Sequence, residues 1–331
     1  MKAFVTGATG FIGANVVRAL LAKGFEVRAL VRPTSDRRNI EDLPIEVVEG
    51  DLRDFPSVKR GMEGCEVVFH VGALYSFWVR PKRLIYEINV DGTRNVLRAA
   101  RELGVERVVY TSSIAALGRG TKEEPADEET PVRPEILIGD YKKSKYLAQE
   151  VALEFAKKGL PVVIVNPSFP VGPYDIKPTP TGQLILDFLR RKMPAYMDTG
   201  MNVVAAGDVA QGHLLALERG RVGECYILGG ENLTMKELLH TLSRITGLPA
   251  PRFRFPYALA LPLSYLNIWL CLLTGGTPRM TPDTVRMTRY YEFFDIGKAR
   301  EELGYEPMPA EEALRQAVEW FRKSGMVEKG G

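Results

Sequence analysis

Tyr141 and Lys145 lie four residues apart, a spacing that places both side chains on one face of a helix. A tyrosine with an ordinary pKa of about 10 is a poor base at neutral pH, and a lysine ammonium beside it favours the phenolate. Such a pair can exchange a proton with a hydroxyl or carbonyl oxygen while another group moves a hydride. There are two structural alternatives: Tyr141 as an aromatic residue at a helix start, and Lys145 as part of a solvated helix face.

A glycine-rich turn near the N-terminus is the candidate site for the hydride carrier. Gly7, Gly10 and Gly13 follow an apolar stretch with strand character and open a stretch with helical periodicity. In dinucleotide sites the first glycine allows a sharp turn, the second admits a pyrophosphate, and the third lets the helix pack against the strand. The helix start then offers free N–H groups to the phosphates. The turn predicts a nicotinamide dinucleotide, with an ordinary tight turn as the alternative.

The residues after the second predicted strand indicate which dinucleotide binds. A NAD site usually has an acidic residue here that binds the ribose 2′-hydroxyl. In this chain Val31 ends the strand, Arg32 follows, and Arg37 and Arg38 are close in sequence. A guanidinium suits a 2′-phosphate because it donates two charge-assisted hydrogen bonds. The sequence therefore favours NADP, with NAD as the alternative cofactor and a solvated strand end as the structural explanation of Arg32.

Polar residues also follow two other predicted strands. Asp51 and Leu52 end the third strand and could contact an adenine, although Asp51 could instead cap the following turn. Ser112 and Ser113 follow the strand that begins at Arg107. Ligands of parallel sheets bind outside the carboxyl ends of the strands, where a hydroxyl can polarise a substrate carbonyl. Two serines after a strand are also an ordinary turn sequence.

The elements that must position these residues alternate between strand and helix. Apolar strands are predicted at residues 2–6, 26–31, 45–49, 66–71, 107–112, 161–166 and 225–228. Amphipathic helices are predicted at residues 11–23, 55–62, 84–103, 141–157, 183–191, 208–219, 235–246 and 310–323. Thr234 is the predicted N-cap of the helix at 235–246, since Glu237 follows it at capping-box spacing. Apolar strands that alternate with helices indicate a parallel sheet covered on both faces.

Composition narrows the function classes. The chain has 331 residues, with 44 basic and 41 acidic residues and a net charge of +3, which gives no argument for nucleic acid binding. Three cysteines without C-x-x-C spacing and three scattered histidines predict free thiols and no metal site. The first residues run directly into the glycine turn without a signal sequence, so the chain is expected to be cytoplasmic.

Residues 255–278 form an uncharged run that is long enough to cross a membrane. Pro256 and Pro262 interrupt the run, and Ser264, Asn267 and Thr274 dilute it. We expect one or two buried or interface helices here. A membrane span and a peripheral contact with a membrane surface are the alternatives.

Taken together, the motifs resemble the extended branch of the short-chain dehydrogenase/reductase superfamily. That branch is marked by the turn motif at 6–13 and by Tyr141-x-x-x-Lys145, and further similarity lies at 68–73, 89–95, 111–113, 166–168 and 207–210. Within the branch, the chain looks most like dihydroflavonol-4-reductase-like reductases and hopanoid-associated sugar epimerases. This chain has Arg32 where NAD-using epimerases retain an acidic residue, which is a departure from their pattern. Ile114 and Ala115 stand where sugar dehydratases have an acidic pair.

The resemblance implies a fold and a set of functional residues. We expect an α/β fold with a Rossmann-like, doubly wound parallel sheet in residues 1–167, completed by 203–228, and a smaller C-terminal substrate-binding lobe formed mainly by 168–202 and 229–331. The expected catalytic residues are Ser113, Tyr141 and Lys145. The expected cofactor contacts are Gly7, Thr9, Gly10, Phe11, Ile12, Gly13, Arg32, Asp51, Leu52, Val71, Ala73, Pro167 and Ser168. A homodimer through the helices at 84–103 and 141–157 is expected by analogy.

These residues serve either of two enzyme classes. A reductase would move a hydride between NADP and a carbonyl or secondary alcohol, and an epimerase would return the hydride to the opposite face of a sugar. A catalytically silent nucleotide-binding regulator is the third hypothesis. A nucleotide sugar needs cations for a second pyrophosphate, and the candidates are Arg190, Arg191, Lys192, Arg279, Arg286 and Arg289. An apolar, polycyclic or lipid-linked substrate would instead use aromatic walls, for which the candidates are Tyr75, Phe77, Trp78, Tyr174 and Trp269.

Overall fold

The computed structural model describes residues 1–278 and 280–327, apart from the side chain of Ile136. Its strands are β1 Lys2–Thr6, β2 Glu26–Val31, β3 Glu46–Glu49, β4 Val67–His70, β5 Arg107–Thr111, β6 Val162–Pro167, β7 Phe169–Val171, β8 Ala195–Tyr196, β9 Gly200–Ala205, β10 Cys225–Leu228, β11 Glu231–Thr234, β12 Phe253–Arg254 and β13 Tyr291–Glu292. Its α-helices are α1 Phe11–Ala22, α2 Phe55–Met62, α3 Arg83–Tyr86, α4 Gly92–Leu103, α5 Gly139–Lys157, α6 Pro180–Leu189, α7 Ala206–Arg219, α8 Met235–Thr246, α9 Tyr257–Thr274, α10 Pro282–Met287 and α11 Ala310–Lys323.

Seven strands form one parallel sheet in the order β10-β6-β5-β4-β1-β2-β3. The chain reverses its direction of travel across the sheet between β3 and β4, which leaves a crevice at the carboxyl ends of β1 and β4. This arrangement is the predicted Rossmann-like, doubly wound sheet, and the fold prediction is confirmed.

Both faces of the sheet are buried against helices. Along β1, the side chains of Ala3 and Val5 pack into one apolar cluster, which also holds residues of α1 and α7. The side chain of Phe4 packs into the opposite cluster with residues of α2, α4 and α5. Successive side chains of a strand point to opposite faces, so an uninterrupted apolar strand is what a doubly covered sheet requires.

A second, smaller sheet lies in the C-terminal part of the fold. Strand β9 pairs with β7, β11 and β13, so it belongs to this sheet and not to the seven-stranded one. Helices α6, α8 and α11 supply a third apolar cluster around it. Residues 203–228 were expected to complete the large sheet. Within this region, β10 pairs with β6 in that sheet. The division into a cofactor domain and a substrate lobe stays a prediction.

The predicted continuous helix at 84–103 is wrong in its middle. Residues Glu87–Asp91 form a π-helical turn between α3 and α4. A π turn inserts one extra residue into a helix, and such bulges are frequent at functional sites. Here the turn contains Asn89, whose side chain is buried and hydrogen bonded to neighbouring elements.

The uncharged stretch at 255–278 contains the single helix α9, so the buried alternative of the expectation is wrong and the interface alternative stays a prediction. Only Ala260 and Ser264 of this helix are buried. By length and composition alone, it is also the one helix in the described ranges that could cross a membrane. The apolar composition of this stretch did not lead to burial, because the helix contacts the rest of the fold only along one narrow stripe.

The contribution of the capping box at the start of α8 to stability can be tested by mutation. Glu237 N–H donates to Thr234 Oγ1 at 3.2 Å, and Thr234 N–H donates to a Glu237 carboxylate oxygen at 2.8 Å. We expect Thr234→Ala to lower the free energy of unfolding by about 1 kcal/mol in denaturant titrations, because a helix-start N–H loses its acceptor. Thr274→Ala is the control, since the exposed Thr274 hydroxyl donates only to a carbonyl within its own helix. Equal losses in both variants would contradict the capping role.

Candidate active site

The carboxyl ends of the central strands open into a cleft of about 1120 Å³. All of the residues predicted to contact a cofactor or to be catalytic line this one cleft, although they come from separate parts of the chain. They are Gly7, Thr9, Gly10, Phe11, Ile12, Gly13, Arg32, Asp51, Leu52, Val71, Ala73, Ser113, Tyr141, Lys145, Pro167 and Ser168.

The glycine turn is a close backbone contact between β1, α1 and the residues after β4. Gly7 has a φ of 75°, and a Cβ atom on it would lie 2.6 Å from the Cα atom of Gly72. A Cβ atom on Gly13 would lie 2.0 Å from the carbonyl oxygen of Gly7. Because both clashes are with backbone atoms, a side chain at Gly7 would force the turn away from the residues after β4, and one at Gly13 would force the helix away from the turn.

The start of α1 is suited to a pyrophosphate. Gly10 is the N-cap, no side chain caps the helix, and no acidic residue lies in its first turn. The first N–H groups of the helix therefore have no partner within it, and together with the helix dipole they favour a bound anion. This geometry and the size of the cleft fit a dinucleotide.

Three arginines follow β2, and the structure separates them. Arg37 is paired with Glu49 at 3.0 Å, and Arg38 makes a bidentate ion pair with Asp36. Arg32 is exposed, lines the cleft, and has no ion pair in the described ranges. Arg32 is therefore the arginine of the three that is free to meet a ligand at this end of the cleft.

Asp51 has a structural role in addition to its place in the cleft. Its carboxylate accepts hydrogen bonds from the guanidinium and the backbone N–H of Arg53. The Arg53 side chain lowers the pKa of Asp51. These contacts are the ones expected from the alternative in which Asp51 caps the turn that follows it.

Lys145 is buried at the end of β5. Its Nζ atom donates to the Thr111 carbonyl oxygen at 2.9 Å and lies 3.5 Å from the Tyr110 hydroxyl oxygen. Burial lowers the pKa of Lys145 to about 7, because a charged amine loses its hydration there. The amine is thus held to the sheet and is close to its titration point at neutral pH.

Tyr141 lies one turn before Lys145 on α5. Burial raises the pKa of Tyr141 to about 12, a hydrogen bond with the Ser113 side chain acts in the opposite direction, and Glu292 raises it further. The expectation that Lys145 together with a bound nicotinamide favours the Tyr141 phenolate stays a prediction, and the side chains of the protein alone raise the Tyr141 pKa. The Lys145 amine is directed at the Thr111 carbonyl.

Three buried asparagines that sequence reasoning did not assign to the site hold it together. Asn89 accepts from Leu74 N–H at 2.7 Å and donates to Ser144 Oγ at 2.9 Å, which ties the loop after β4 to α5. Asn166 donates to the Ser113 carbonyl oxygen at 2.9 Å. Asn39 donates to the carbonyl oxygens of Thr9 and Tyr174 at 3.1 and 2.9 Å. The family resemblance marks the segments at 89–95 and 166–168, which contain Asn89 and Asn166, but it does not assign these roles, and no sequence signal marks Asn39.

The wall of the cleft beside Tyr141 is aromatic. The ring of Tyr141 lies 4.8 Å from that of Tyr75 and 5.6 Å from that of Phe77, between ring centroids. Trp78 and Tyr174, which were predicted as walls, also line the cleft. So do the apolar residues Phe169, Leu184, Met193, Met201, Met235 and Met287, together with polar and charged residues that include Lys142, Asp175, Lys177, Gln183, Asp187 and Glu292. The prediction is wrong for Trp269, which lies on α9 with 57% of its surface exposed.

The cations predicted for a second pyrophosphate do not meet there. Arg190 donates to the Met326 carbonyl oxygen, Arg286 to Asp283 and Tyr265, and Arg289 stacks on Tyr257. None of the described candidates, including Arg191 and Lys192, lines the cleft. Arg279 lies outside the described residues.

Comparisons with known proteins agree with this geometry. Residues 3–229 match the model of the NAD dependent epimerase/dehydratase family. A provisional dihydroflavonol 4-reductase of Synechocystis sp. is 48% identical over 98% of this chain and 96% of its own length. Sterol demethylase protein B of Methylococcus capsulatus is 37% identical over 99% of this chain and all of its own length.

A solved structure shares the whole architecture. The crystal structure of a nucleoside-diphosphate-sugar epimerase from Pseudomonas aeruginosa superposes with a TM-score of 0.81, at 30% identity, over 99% of both chains. Reductases and epimerases thus occur among the proteins to which this chain is similar. The chain belongs to the NAD dependent epimerase/dehydratase family and is an enzyme of the oxidoreductase or epimerase type.

Proposed function

We propose that the protein is an NADP-dependent oxidoreductase that interconverts an apolar ketone and the corresponding secondary alcohol. The observation that carries this proposal is the position of Tyr141. Its phenol interacts with Ser113 on one side, and its ring packs against Tyr75 and Phe77 on the other. This position supports Tyr141 as the proton-transfer group, between the groove that contains the glycine turn and the aromatic wall formed by Tyr75 and Phe77.

The chemistry is divided among three side chains. Ser113 Oγ accepts the Ala115 N–H at 3.1 Å, which orients the hydroxyl so that it can donate to a substrate carbonyl oxygen. Tyr141 gives its proton to that oxygen during reduction and takes it back during oxidation. Lys145 anchors α5 to the sheet and supplies a cation beside the reacting groups. The dinucleotide, when bound, supplies or accepts the hydride.

An apolar substrate is supported by the walls of the pocket. Desolvating a charged diphosphate is unfavourable without cations to pair it, and the described cation candidates point elsewhere. The Methylococcus relative is named for sterol demethylation, and a sterol is a polycyclic apolar alcohol. Together these points favour a ketone or alcohol on a polycyclic or lipid-like skeleton over a nucleotide sugar.

Selectivity for NADP is proposed from the arginines after β2. Arg32 lines the cleft without an ion pair in the described ranges, and it stands where a NAD site has its acidic residue. A 2′-phosphate there would receive charge-assisted hydrogen bonds from the guanidinium.

Removal of a proton donor tests the reaction class. We expect Tyr141→Phe to lower kcat for ketone reduction by about a hundredfold or more, because the substrate oxygen loses its acid, while NADPH affinity stays within about twofold. The measurement is NADPH oxidation with a panel of cyclic and aryl ketones, together with transfer of deuterium from labelled NADPH to the product. Epimerisation without net NADPH consumption would reject the reductase proposal, and undiminished turnover in Tyr141→Phe would reject the role of Tyr141.

A matched arginine pair tests the cofactor. We expect Arg32→Ala to weaken NADPH binding by about tenfold or more and to leave NADH binding unchanged, since a lost charged hydrogen bond costs about 1.5–3 kcal/mol. Fluorescence titration gives both dissociation constants. Arg38→Ala is the control, because Arg38 is paired with Asp36 and lies outside the cleft lining. Preference of the unmodified protein for NADH would contradict the assignment of Arg32.

A matched glycine pair tests the turn. We expect Gly13→Ala to weaken binding of both NADPH and NADH by about tenfold or more, because its methyl group would displace the start of α1 from the Gly7 carbonyl. The same titration applies, with circular dichroism as the check on folding. Gly207→Ala is the control, since a Cβ atom there meets no neighbour within 4 Å. Unchanged affinity in a folded Gly13→Ala protein would argue against a dinucleotide at this turn.

A further inference from the structure

Helix α9 presents an apolar face where a surface helix normally carries charged side chains. The side that meets the protein includes Ala260 and Ser264, one helical turn apart. The remaining circumference carries large exposed apolar and aromatic side chains, with Leu273 at 66% and Trp269 at 57% exposure. The others are Leu259, Leu263, Tyr265, Leu266, Leu270 and Leu272. A contiguous apolar surface of this kind marks an interaction site.

The helix lies along the surface of the fold, and its connections argue against a bilayer crossing. Strand β12, before it, pairs with β8, and strand β13, after it, pairs with β9. Strands β8 and β9 are separated by only a few residues, and α10 packs against α9 on the way to β13. The strands that flank α9 are therefore anchored close to each other, and α10 packs against α9, an arrangement that a crossing would disrupt.

Exposed cations surround the apolar face. Arg252 and Arg254 precede the helix, and Arg289 stacks on Tyr257 in its first turn. Arg286 donates to Tyr265, and Lys82 and Lys143 line the same small pocket as Arg286. The carboxylates that face this group are Asp140, Asp198 and Asp283, paired with Lys82, Arg254 and Arg286. These described residues amount to six cations against three carboxylates, so this group, the rim of α9, carries a net positive charge.

The segments that follow α9 reach the cleft. Thr277 and Pro278, a few residues after α9, line the cleft, and so do Thr284, Met287 and Thr288 on and beside α10. Helix α9 therefore lies close in sequence and in the fold to residues of the cleft wall.

We propose that α9 docks the protein on a lipid bilayer that contains anionic headgroups. The leucine face would lie at the boundary of headgroups and acyl chains, Tyr265 and Trp269 at the depth that aromatic residues favour, and the cations against the headgroups. A bilayer accounts for the face better than a second copy of the chain does. In a symmetric dimer through α9, the two cationic rims would meet and repel each other.

Docking of this kind would bring the cleft to the surface in which an apolar substrate dissolves. This consequence rests on the proposed function, whereas docking itself rests only on α9 and its rim.

Flotation with vesicles tests the docking. We expect the full chain to float with vesicles of phosphatidylcholine and phosphatidylglycerol at a 1:1 ratio, and to float less as salt rises because the rim is electrostatic. Leu266→Asp combined with Leu270→Asp should reduce the floated fraction by about tenfold. Val222→Asp is the control, since Val222 is 49% exposed and lies outside α9. Absence of flotation at low salt, or equal loss in both proteins, would overturn the proposal.

Tryptophan fluorescence gives an independent readout. Trp269 should shift its emission to shorter wavelength on vesicle addition, and Trp269→Phe should abolish that shift while flotation persists. Concentration-dependent dimers that disappear in the double aspartate variant, without vesicle binding, would assign the face to a second copy. Reduction of a water-soluble ketone by the double variant separates the two proposals. Retained activity without flotation leaves the proposed function intact, and flotation without activity in the unmodified protein leaves the docking intact.

Discussion

The arrangement of the active site depends on the hydrogen bond from the Lys145 amine to the Thr111 carbonyl. This bond fixes α5 against the carboxyl end of β5, and Tyr141 and Ser113 face each other because the helix and the strand are joined there. The amine is buried, and the fall of its pKa from 10.5 to about 7 corresponds to a penalty on the order of 5 kcal/mol for its charged form. Because the folded pKa is the lower one, the protein bears the full penalty below about pH 7 and is relieved of it as pH rises toward 10.5.

The rest of the cleft requires that loops from separate parts of the chain meet at one edge of the sheet. A parallel sheet places the ends of β1, β4, β5 and β6 side by side, but it leaves the loops that follow them to be fixed individually. Buried amides do this, with Asn89 holding the loop after β4 to α5 and Asn39 joining the glycine turn to the segment at Tyr174. A buried amide that lacks its hydrogen bonds costs free energy. Each asparagine therefore favours the one loop conformation in which its hydrogen bonds form.

Local sequence signals predicted what is determined locally. The bounds of β1, β2, α2, β10, α8 and α11 were predicted correctly, since each has an uninterrupted apolar period and a clear end signal. The residues of the glycine turn and the Tyr141–Lys145 spacing were found for the same reason. Properties that depend on distant partners were not predictable: the π turn at Asn89, the pairing of Arg37 and Arg38 with acids, and the effect of burial on the Tyr141 pKa.

The missed exposure of α9 has a physical reason that links it to the cleft. An apolar run predicts removal from water, but it does not say whether the protein or another phase provides the cover. Trp269 was expected in the pocket and lies on α9, while Tyr75 and Phe77 line the pocket itself. The same C-terminal region therefore has apolar surface on the inside, against Met235 and Met287, and on the outside, along α9. The proposed apolar substrate would need an apolar pocket to bind it and the proposed docking surface to reach it, and residues shortly after α9 line the cleft.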